Sequence, residues 1–508
     1  MTIASRSGPQ LAPLAQSSPR RFPWVWRNRA LLALVLLAAA VRLPGVNRPL
    51  VGHFATKNTI YAMIARNWTT RHSPPWYPAI DCMAGGERGW HLLELPVAAF
   101  LAGAGWAGCG GSLDVWGRAT SIIFSVGGVV VLFSLVRRWH GQSAAFGAGL
   151  ALALAPVAVI FGQSFMLESS VVFFCVATFW FLDEWLAGQS RHWLVLAAIS
   201  FGLLLMTKIY MLVLALPLVA KVWSELRNGS WPSRGRCWLE FLVAGALAAA
   251  PALVWCANVA RVSAADNPLS ERVYYSLRQS AEVHQSPQSL LLSPTFYRKL
   301  LDDLTGPVLT PLGFVLCLTG MMNPAWRRHL AWLTSMAVLV VALPAKFYDL
   351  LYYDVVFLPP LCILVGLGWQ MVAERLRPSG TAVAGVLAVG LLLSLRYAIG
   401  PAFATPAEDR SVTAAAAALR SLTNVEEPVI TMHGSCTDLL YYCDRPGWGV
   451  SPDDPRLPER FALARRHGTR WCVATNLELF DRSPLALAEL ADWTVEREGA
   501  DFRIYKCQ

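Results

Sequence analysis

Charge is what this sequence lacks. Of its 508 residues only 15% are Asp, Glu, Lys or Arg, against roughly 25% in an ordinary soluble domain. A soluble chain of this length needs far more charge to cover its surface, which excludes a globular cytosolic enzyme. Low hydrophobicity, the mark of disorder, is also missing: 55% of the residues are hydrophobic and the mean hydropathy is +0.43. No Cys/His spacing suggests zinc and no acidic cluster resembles a dedicated metal site, so no metal and no cofactor are expected. No clear internal repeat of the transporter kind is visible. Aromatic residues, by contrast, are plentiful: 21 Trp, 22 Phe and 13 Tyr, as suits interfacial belts at a membrane.

The net charge of +10 would suit a nucleic-acid partner. The placement of the basic residues argues otherwise. The first 29 residues hold Arg6, Arg20, Arg21, Arg27 and Arg29 and no acid; Ala30 to Val41 is then unbroken apolar sequence, closed by Arg42. A cleaved signal peptide has this layout. The favoured reading is a first membrane span, lengthened by Trp24 and Trp26 and ended by a snorkelling Arg42. Both readings leave the residues after 45 outside the cytoplasm. Further apolar segments lie at about 115–136, 143–161, 168–187, 192–207, 209–225, 237–257, 304–321, 329–345, 354–373 and 380–399. Most approach the roughly 20 residues that cross a bilayer. Every second loop is basic, carrying Arg137 and Arg138, Arg191, Lys221 to Arg236, Arg327 and Arg328, then Arg375 and Arg377. That is the positive-inside pattern, and nucleic acid is excluded as a partner.

The expected fold class is therefore a polytopic α-helical membrane protein of about eleven transmembrane helices in a plasma (inner) membrane. Its N-terminus is cytoplasmic and its C-terminus periplasmic or extracellular. His91 to Trp106 is apolar yet holds His91, Glu94 and Pro96, and is read as a re-entrant or interfacial helix. Residues 45–114 and 259–303 become long outer loops of a membrane domain spanning 1–404. From 405 to 508 charges return and apolar runs shorten. Strands near Pro428 to Met432 and Trp471 to Ala474, with helices at Val412 to Leu422 and Leu485 to Ala491, predict a small outer α/β domain. Cys436–Cys443 and Cys472–Cys507 could pair there, or remain buried thiols.

Ionisable residues in apolar surroundings need a reason, and here they gather on the outer side. The first outer loop carries His53, Lys57, Asn58 and Arg66, with Tyr61, Ile64, Ala65 and Trp68 at helical spacing; this predicts an amphipathic helix lying in the interface. His91 and Glu94 follow, one helical turn apart. Glu168 begins the fourth span, Lys208 sits at an outer turn, and Lys346, Tyr348, Tyr352, Tyr353 and Asp354 crowd another. Singly, a lysine at a helix end is an anchor and an acid at a helix start a dipole partner. Together they suit a phosphorylated lipid: cations neutralise a leaving phosphate, a carboxylate takes a proton from an acceptor hydroxyl, and aromatics bound sugar and tail.

The order of several short motifs carries a resemblance. They are Tyr61-Ala62-Met63-Ile64-Ala65-Arg66, His91-Leu92-Leu93-Glu94-Leu95-Pro96, Gly117-Arg118, Phe165-Met166-Leu167-Glu168-Ser169, the run Gly202 to Lys208, and Tyr352-Tyr353 before Pro359-Pro360. In these the chain resembles the GT-C membrane glycosyltransferases, specifically the bacterial group akin to protein O-mannosyltransferases and the aminoarabinose transferase of lipid A. The resemblance implies an inverting hexosyl or pentosyl transfer from a polyprenyl-phosphate-linked sugar on the outer face, to a protein, glycolipid or polysaccharide acceptor. It also implies a lipid-phosphate site built partly by the Lys208 turn. Relatives carry an Asp-Glu pair in the first outer loop where this sequence has Lys57-Asn58. Glu94, ranked first because burial would raise its pKa, His53 or Glu168 must then serve as base, with Asp81 a further candidate, or the branch is inactive. Lys57, Asn58, Tyr61, Arg66, His91, Lys208, Tyr352 and Tyr353 are the expected substrate-binding set. The competing functions are a transporter or flippase for a lipid-linked sugar and a non-catalytic membrane scaffold. Clustering of the polar residues at one end of the spans favours an interfacial enzyme.

Overall fold

The computed structural model describes residues 29–507 apart from 229–232, 284–287, 377–378 and 435–436. Helices dominate, because a backbone without water must satisfy its own polar groups. The first ten are α1 (Arg29–Ala40), α2 (Ala55–Thr70), α3 (Val97–Cys109), α4 (Leu113–His140), α5 (Gln142–Leu154), α6 (Pro156–Gly162), α7 (Glu168–Gly188), α8 (Arg191–Thr207), α9 (Ala215–Asn228) and α10 (Arg234–Val262). Then come α11 (Leu277–Val283), α12 (Gln288–Leu291), α13 (Pro294–Asp303), α14 (Thr310–Met321), α15 (Leu330–Ala342), α16 (Pro344–Asp349), α17 (Leu358–Leu376) and α18 (Gly380–Phe403). The chain closes with α19 (Val412–Arg420), α20 (Asp438–Cys443), α21 (Leu457–Arg466), α22 (Leu477–Asp481) and α23 (Pro484–Glu489), interleaved with strands.

All eleven apolar segments are helical over most of their length, but fewer are full spans. Among the described residues six helices are long and apolar enough to cross a membrane, or eight if two bent pairs each count as one. The α5–α6 pair bends by 57° and the Pro294–Val308/α14 pair by 105°. Proline causes both breaks: Pro156 opens α6, and Pro307 and Pro311 flank a non-helical junction at which Thr310 takes φ +64°. The 304–321 segment is therefore no straight span.

Arg42 also departs from expectation. It does not snorkel; it is fully buried. Pro156 has no N–H to offer the carbonyl one turn before it, and the α5–α6 break frees the next one too. The Arg42 guanidinium takes both, donating to the Ala153 carbonyl at 2.8 Å and the Leu152 carbonyl at 3.4 Å, with Ser125 Oγ at 2.8 Å. The residue thus closes the gap that the proline opens. Elsewhere glycines allow close helix packing: a Cβ on Gly320 would lie 1.9 Å from the Leu364 carbonyl oxygen, and one on Gly368 1.9 Å from that of Leu316, which seats α14 directly against α17.

Residues 45–114 and 259–303, expected as outer loops, are more structured than the sequence suggests. His91 to Trp106 is not one helix: β2 (Glu87–Leu92) ends just past His91, Glu94 lies in a turn, and α3 starts only after Pro96. Helix α2 forms as expected but does not lie on a membrane surface, since Tyr61, Ile64 and Ala65 are all buried within the protein. Strand β1 (Ala79–Ala84) pairs antiparallel with β2, and β3 (Val273–Ser276), from the second outer loop, pairs parallel with β2. In the C-terminal segment β4 (Val429–Met432) lies between β5 (Gly447–Val450) and β6 (Trp471–Thr475), all parallel. Strands β7 (Thr494–Gly499) and β8 (Phe502–Lys506) finish that edge antiparallel. The Cys82–Gly447 pairing of β1 with β5 joins the two halves into one sheet of order β3-β2-β1-β5-β4-β6-β8-β7. The residues after 405 thus do not stand apart from the outer loops. Cys472 pairs in register with Tyr505 and is a buried thiol, not bonded to Cys507; the Cys436–Cys443 pairing involves a residue outside those described.

Replacing Arg42 by Met keeps the apolar stem and strands the two carbonyls. Each buried unsatisfied acceptor costs about 1–3 kcal/mol, so the thermal midpoint of the detergent-purified protein should fall by several degrees. An unchanged midpoint would mean that the break is satisfied without Arg42.

Candidate active site

The site begins where α8 stops. Lys208 takes an extended conformation (φ −147°, ψ 98°) and a 3-10 run, Ile209–Leu214, follows. The Leu95 N–H donates to the carbonyl of Met206 at 3.1 Å, which pins the turn after β2 onto the end of α8. This brings Glu94 to Lys208: Nζ lies 3.2 Å from Glu94 Oε1 and 3.6 Å from Glu168 Oε1. Glu168 is the first residue of α7. All three are nearly inaccessible, at 5%, 6% and 2% exposure for Lys208, Glu94 and Glu168. Three segments far apart in sequence therefore meet at one ammonium.

Helix α2 adds a second cation. Lys57 Nζ is 3.8 Å from Glu94 Oε1, and Tyr61, one turn on, donates its hydroxyl to the same oxygen. The 3-10 run Leu351–Phe357 brings Tyr352 and Tyr353, whose ring centres lie 5.8 and 5.9 Å from Lys208 Nζ. Tyr210 stacks on Tyr353 at 5.1 Å. Lys346, on α16, donates to Ser280 Oγ at 2.8 Å, its Nζ 5.9 Å from the Tyr353 ring. A narrow apolar cavity adjoins Glu168, with Phe161, Val172, Val355 and Leu358 among its walls.

The electrostatics correct one expectation. Burial alone would raise the pKa of Glu94, but the ammonium groups of Lys208 and Lys57 beside it reverse the effect and hold it at about 2. Glu94 is thus held as a carboxylate, against the expected upward shift. Burial, together with the charge of Lys57, pushes His91 down to about 3, so its ring is neutral; it stacks on Tyr275 at 5.7 Å. Burial also lowers Lys346, reinforced by repulsion from Lys57 and Lys208, to about 8.

The remaining sequence candidates divide. Lys57, Tyr61, Glu94, Glu168, Lys208, Tyr352 and Tyr353 come together. Asn58 is buried on α2, its amide donating to the Phe54 carbonyl at 2.9 Å and its Oδ1 lacking a hydrogen-bond partner among the described residues. His53 is exposed on the turn before α2, and the charge cluster is built without it. Arg66 lies apart from the lysines: it pairs with Asp81 at 2.5 Å and Asp444 at 3.1 Å and donates to the Tyr441 carbonyl at 3.0 Å, tying α2 to β1 and α20. Asp81 also meets Arg88 at 3.1 Å. Against the opposing effect of burial, Arg66 and Arg88 hold its carboxyl below the usual range. Sequence reasoning missed Tyr210, Tyr275 and Ser280. Tyr210 stands two residues from Lys208 and was within reach; the other two lie in an outer loop without a motif.

Known proteins can now be set beside this geometry. A family model described as dolichyl-phosphate-mannose-protein mannosyltransferase matches residues 95–255. ArnT from Cupriavidus metallidurans, in a crystal structure bound to undecaprenyl phosphate, superposes with a TM-score of 0.62 at 17% identity, covering 95% of this chain and 98% of that one. The oligosaccharyltransferase of Archaeoglobus fulgidus gives 0.57 at 14% identity, over 94% of this chain and 73% of its own. No curated protein sequence matches the chain. The fold is that of the GT-C glycosyltransferases. The likeness of fold thus extends over nearly the whole chain, while the family model matches residues 95–255. The family match begins one residue after Glu94, and Glu168 and Lys208 both fall inside it.

Asp81→Asn leaves Arg66 and Arg88 facing a neutral amide in a buried place. Breaking such a pair costs about 3–5 kcal/mol, so the thermal midpoint should drop sharply. Arg66→Met should give a comparable loss, and the double variant should lose less than the sum. Additive losses would show that the two residues do not act as one unit.

Proposed function

We propose that this protein is a membrane glycosyltransferase that moves a sugar, with inversion, from a polyprenyl-phosphate-linked donor to a hydroxyl acceptor on the outer face of the membrane. The observation that carries the reading is the buried Lys208 ammonium held between Glu94 and Glu168, with Lys57 beside it. A site that keeps cations desolvated in fixed positions is prepared for charge that develops on a leaving phosphate. The undecaprenyl phosphate bound to the structurally similar ArnT supports the same donor chemistry here.

We assign the roles as follows. Lys208, Lys57 and Lys346 bind the donor phosphate, and Tyr352 and Tyr353 bound the sugar and the first part of the lipid. Glu94, which accepts from Lys208 and Tyr61 and faces Lys57, positions these cations. A base needs a free lone pair aimed at the acceptor. Glu168 retains one on Oε2, which has no hydrogen-bond partner among the described residues. Glu94 also keeps Oε2 clear of the contacts on its Oε1, and the base falls to Glu168 because Glu94 is committed to holding the two lysines and Tyr61. This reverses the order reached from the sequence, where Glu94 stood first. With the shorter apolar helices α1, α8 and α15 counted as crossings beside the eight longer ones, the alternation of basic loops supports an N-terminus in the cytoplasm and a C-terminal segment outside. A reporter fused after residue 405 should be active outside, and one near Arg234 inside; a cytoplasmic C-terminus would overturn the outer location of the site.

Purified protein incubated with labelled polyprenyl-phosphate sugars should release polyprenyl phosphate. Lys208→Ala should cut turnover by about 10²–10³-fold, the typical effect of losing one donor to developing charge, while the variant still folds. Glu168→Gln should bind donor and fail to turn over. If Glu168→Gln is active and Glu94→Gln is dead, the base assignment is wrong.

The lowered pKa of Lys346 adds a pH test. Below pH 8 its ammonium is charged and attracts phosphate; above, it is neutral. kcat/KM for the donor should therefore fall as pH rises through about 8. Lys346→Arg, which stays charged, should flatten that limb. An unchanged limb would remove Lys346 from donor binding.

A further inference from the structure

A second cluster lies in the C-terminal half of the sheet, away from the lysines. From β4 the chain moves to β5 on one side and afterwards to β6 on the other. The strand order reverses at β4, and such switch points open a crevice at the carboxyl ends of the strands. His433 directly follows β4, and Thr475 is the last residue of β6. Asp438 opens α20, and Asp409 sits in the turn before α19. All four are buried.

His433 Nε2 faces both carboxylates, 2.8 Å from Asp409 Oδ1 and 3.6 Å from Asp438 Oδ2. One ligand-type atom from each of the three residues lies within 4.8 Å of the others. Ligands about 2.1 Å from a tetrahedral ion stand roughly 3.4 Å apart, and the two distances bracket that value. The other ring nitrogen, Nδ1, meets Thr475 Oγ1 at 2.7 Å; this is the outer hydrogen bond that orients a metal-binding imidazole. The independent observation is Asp438. It is 0% exposed, and its Oδ1 accepts from the Leu439 N–H at 2.8 Å. Its Oδ2 points at His433 and has no hydrogen-bond partner among the described residues. A buried carboxylate oxygen left that way calls for a cation.

We propose that Asp409, His433 and Asp438 form a binding site for a divalent first-row cation, with Zn²⁺ or Mn²⁺ suited to two carboxylates and an imidazole. The ion enters past Asp409, whose neighbours Glu408 and Arg410 are exposed. It fixes the start of α20, and α20 in turn grips the membrane part. Tyr441 and Tyr442 donate to Asp114 at 2.7 and 2.6 Å, at the start of α4. Thr437, just before Asp438, shares a 2.7 Å hydrogen bond with Thr59, two residues along α2 from Lys57. The cation thus braces the helix that carries Lys57. This assignment does not depend on the donor reading.

The test uses full-length protein in detergent, stripped with a chelator, then equilibrated separately with Zn²⁺ and with Mn²⁺. Bound metal is counted by elemental analysis, and the thermal midpoint is read with and without each ion. The wild-type chain should hold one ion more than Asp438→Asn, a near-isosteric change, and than His433→Gln. Its midpoint should rise with the ion while those of the variants should not. Equal metal content in wild type and both variants, or no uptake by wild type of either ion, would overturn the proposal and leave a protonated imidazole bridging two carboxylates. Should one variant fail to fold, the other carries the comparison.

Discussion

A lysine ammonium with 5% exposure is costly to keep charged unless counter-charges are held against it. Glu94 and Glu168 supply them, and much of the architecture follows from that requirement. The carboxylates come from the turn after β2 and the first residue of α7, so both must meet the broken end of α8. The backbone hydrogen bond from Leu95 to Met206 and the extended conformation of Lys208 hold that meeting place. Tyr352 and Tyr353 then bring their ring centres to 5.8 and 5.9 Å from the ammonium. Lys208 is itself the residue at which α8 ends and the 3-10 run begins, so the ion pair and the break coincide.

The second constraint is how α2, bearing Lys57 and Tyr61, is fixed. Its outer end is held by charge: Arg66 links Asp81 on β1 to Asp444 after α20, and Arg88 links Asp81 to Glu426. The sheet extends this link, since β1 and β2 from one outer loop, β3 from another and β4 to β8 from the C-terminal segment form one continuous layer. Sequence-distant parts thus bear on one helix through backbone pairing on one side and buried ion pairs on the other. Placement of the Lys57 ammonium depends on both.

What the sequence reveals follows from the range of each force. Bilayer hydropathy is local, and the eleven expected spans proved helical over most of their length, whereas the apolar run His91 to Trp106 did not form one helix. Strands β4 and β6, with helices α19 and α23, were also readable, because short β-branched runs and an alanine-rich amphipathic stretch declare themselves locally. Strands β1 to β3 were not: each has only four to six residues, β1 and β2 carry Gly, Trp or charged residues inside, and all three exist through pairing with partners outside their own run. Arg42 looked like an interfacial anchor because the carbonyls it serves lie more than a hundred residues away. The pKa of Glu94 was expected to rise because burial is readable from apolar neighbours in sequence, while the two ammonium groups that lower it arrive from residues 57 and 208. Asp409, His433 and Asp438 have spacings that fit no metal motif and meet only at a strand-order reversal.

The exchange of an acid for Lys57 gains meaning from this arrangement. Three ammonium groups, Lys57, Lys208 and Lys346, surround two carboxylates, which leaves the cluster with an excess positive charge as long as Lys346 is protonated. In the proposed reaction the donor is a phosphodiester with one negative charge. As the bond to the sugar breaks, the phosphate becomes a monoester and gains toward a second charge, its second pKa being about 6. A fixed positive excess therefore binds the reacting state more tightly than the donor, which is the condition for a faster chemical step. An acid at position 57 would cancel that excess while offering a base; in the proposed assignment Lys57 keeps the excess and proton removal falls to Glu168.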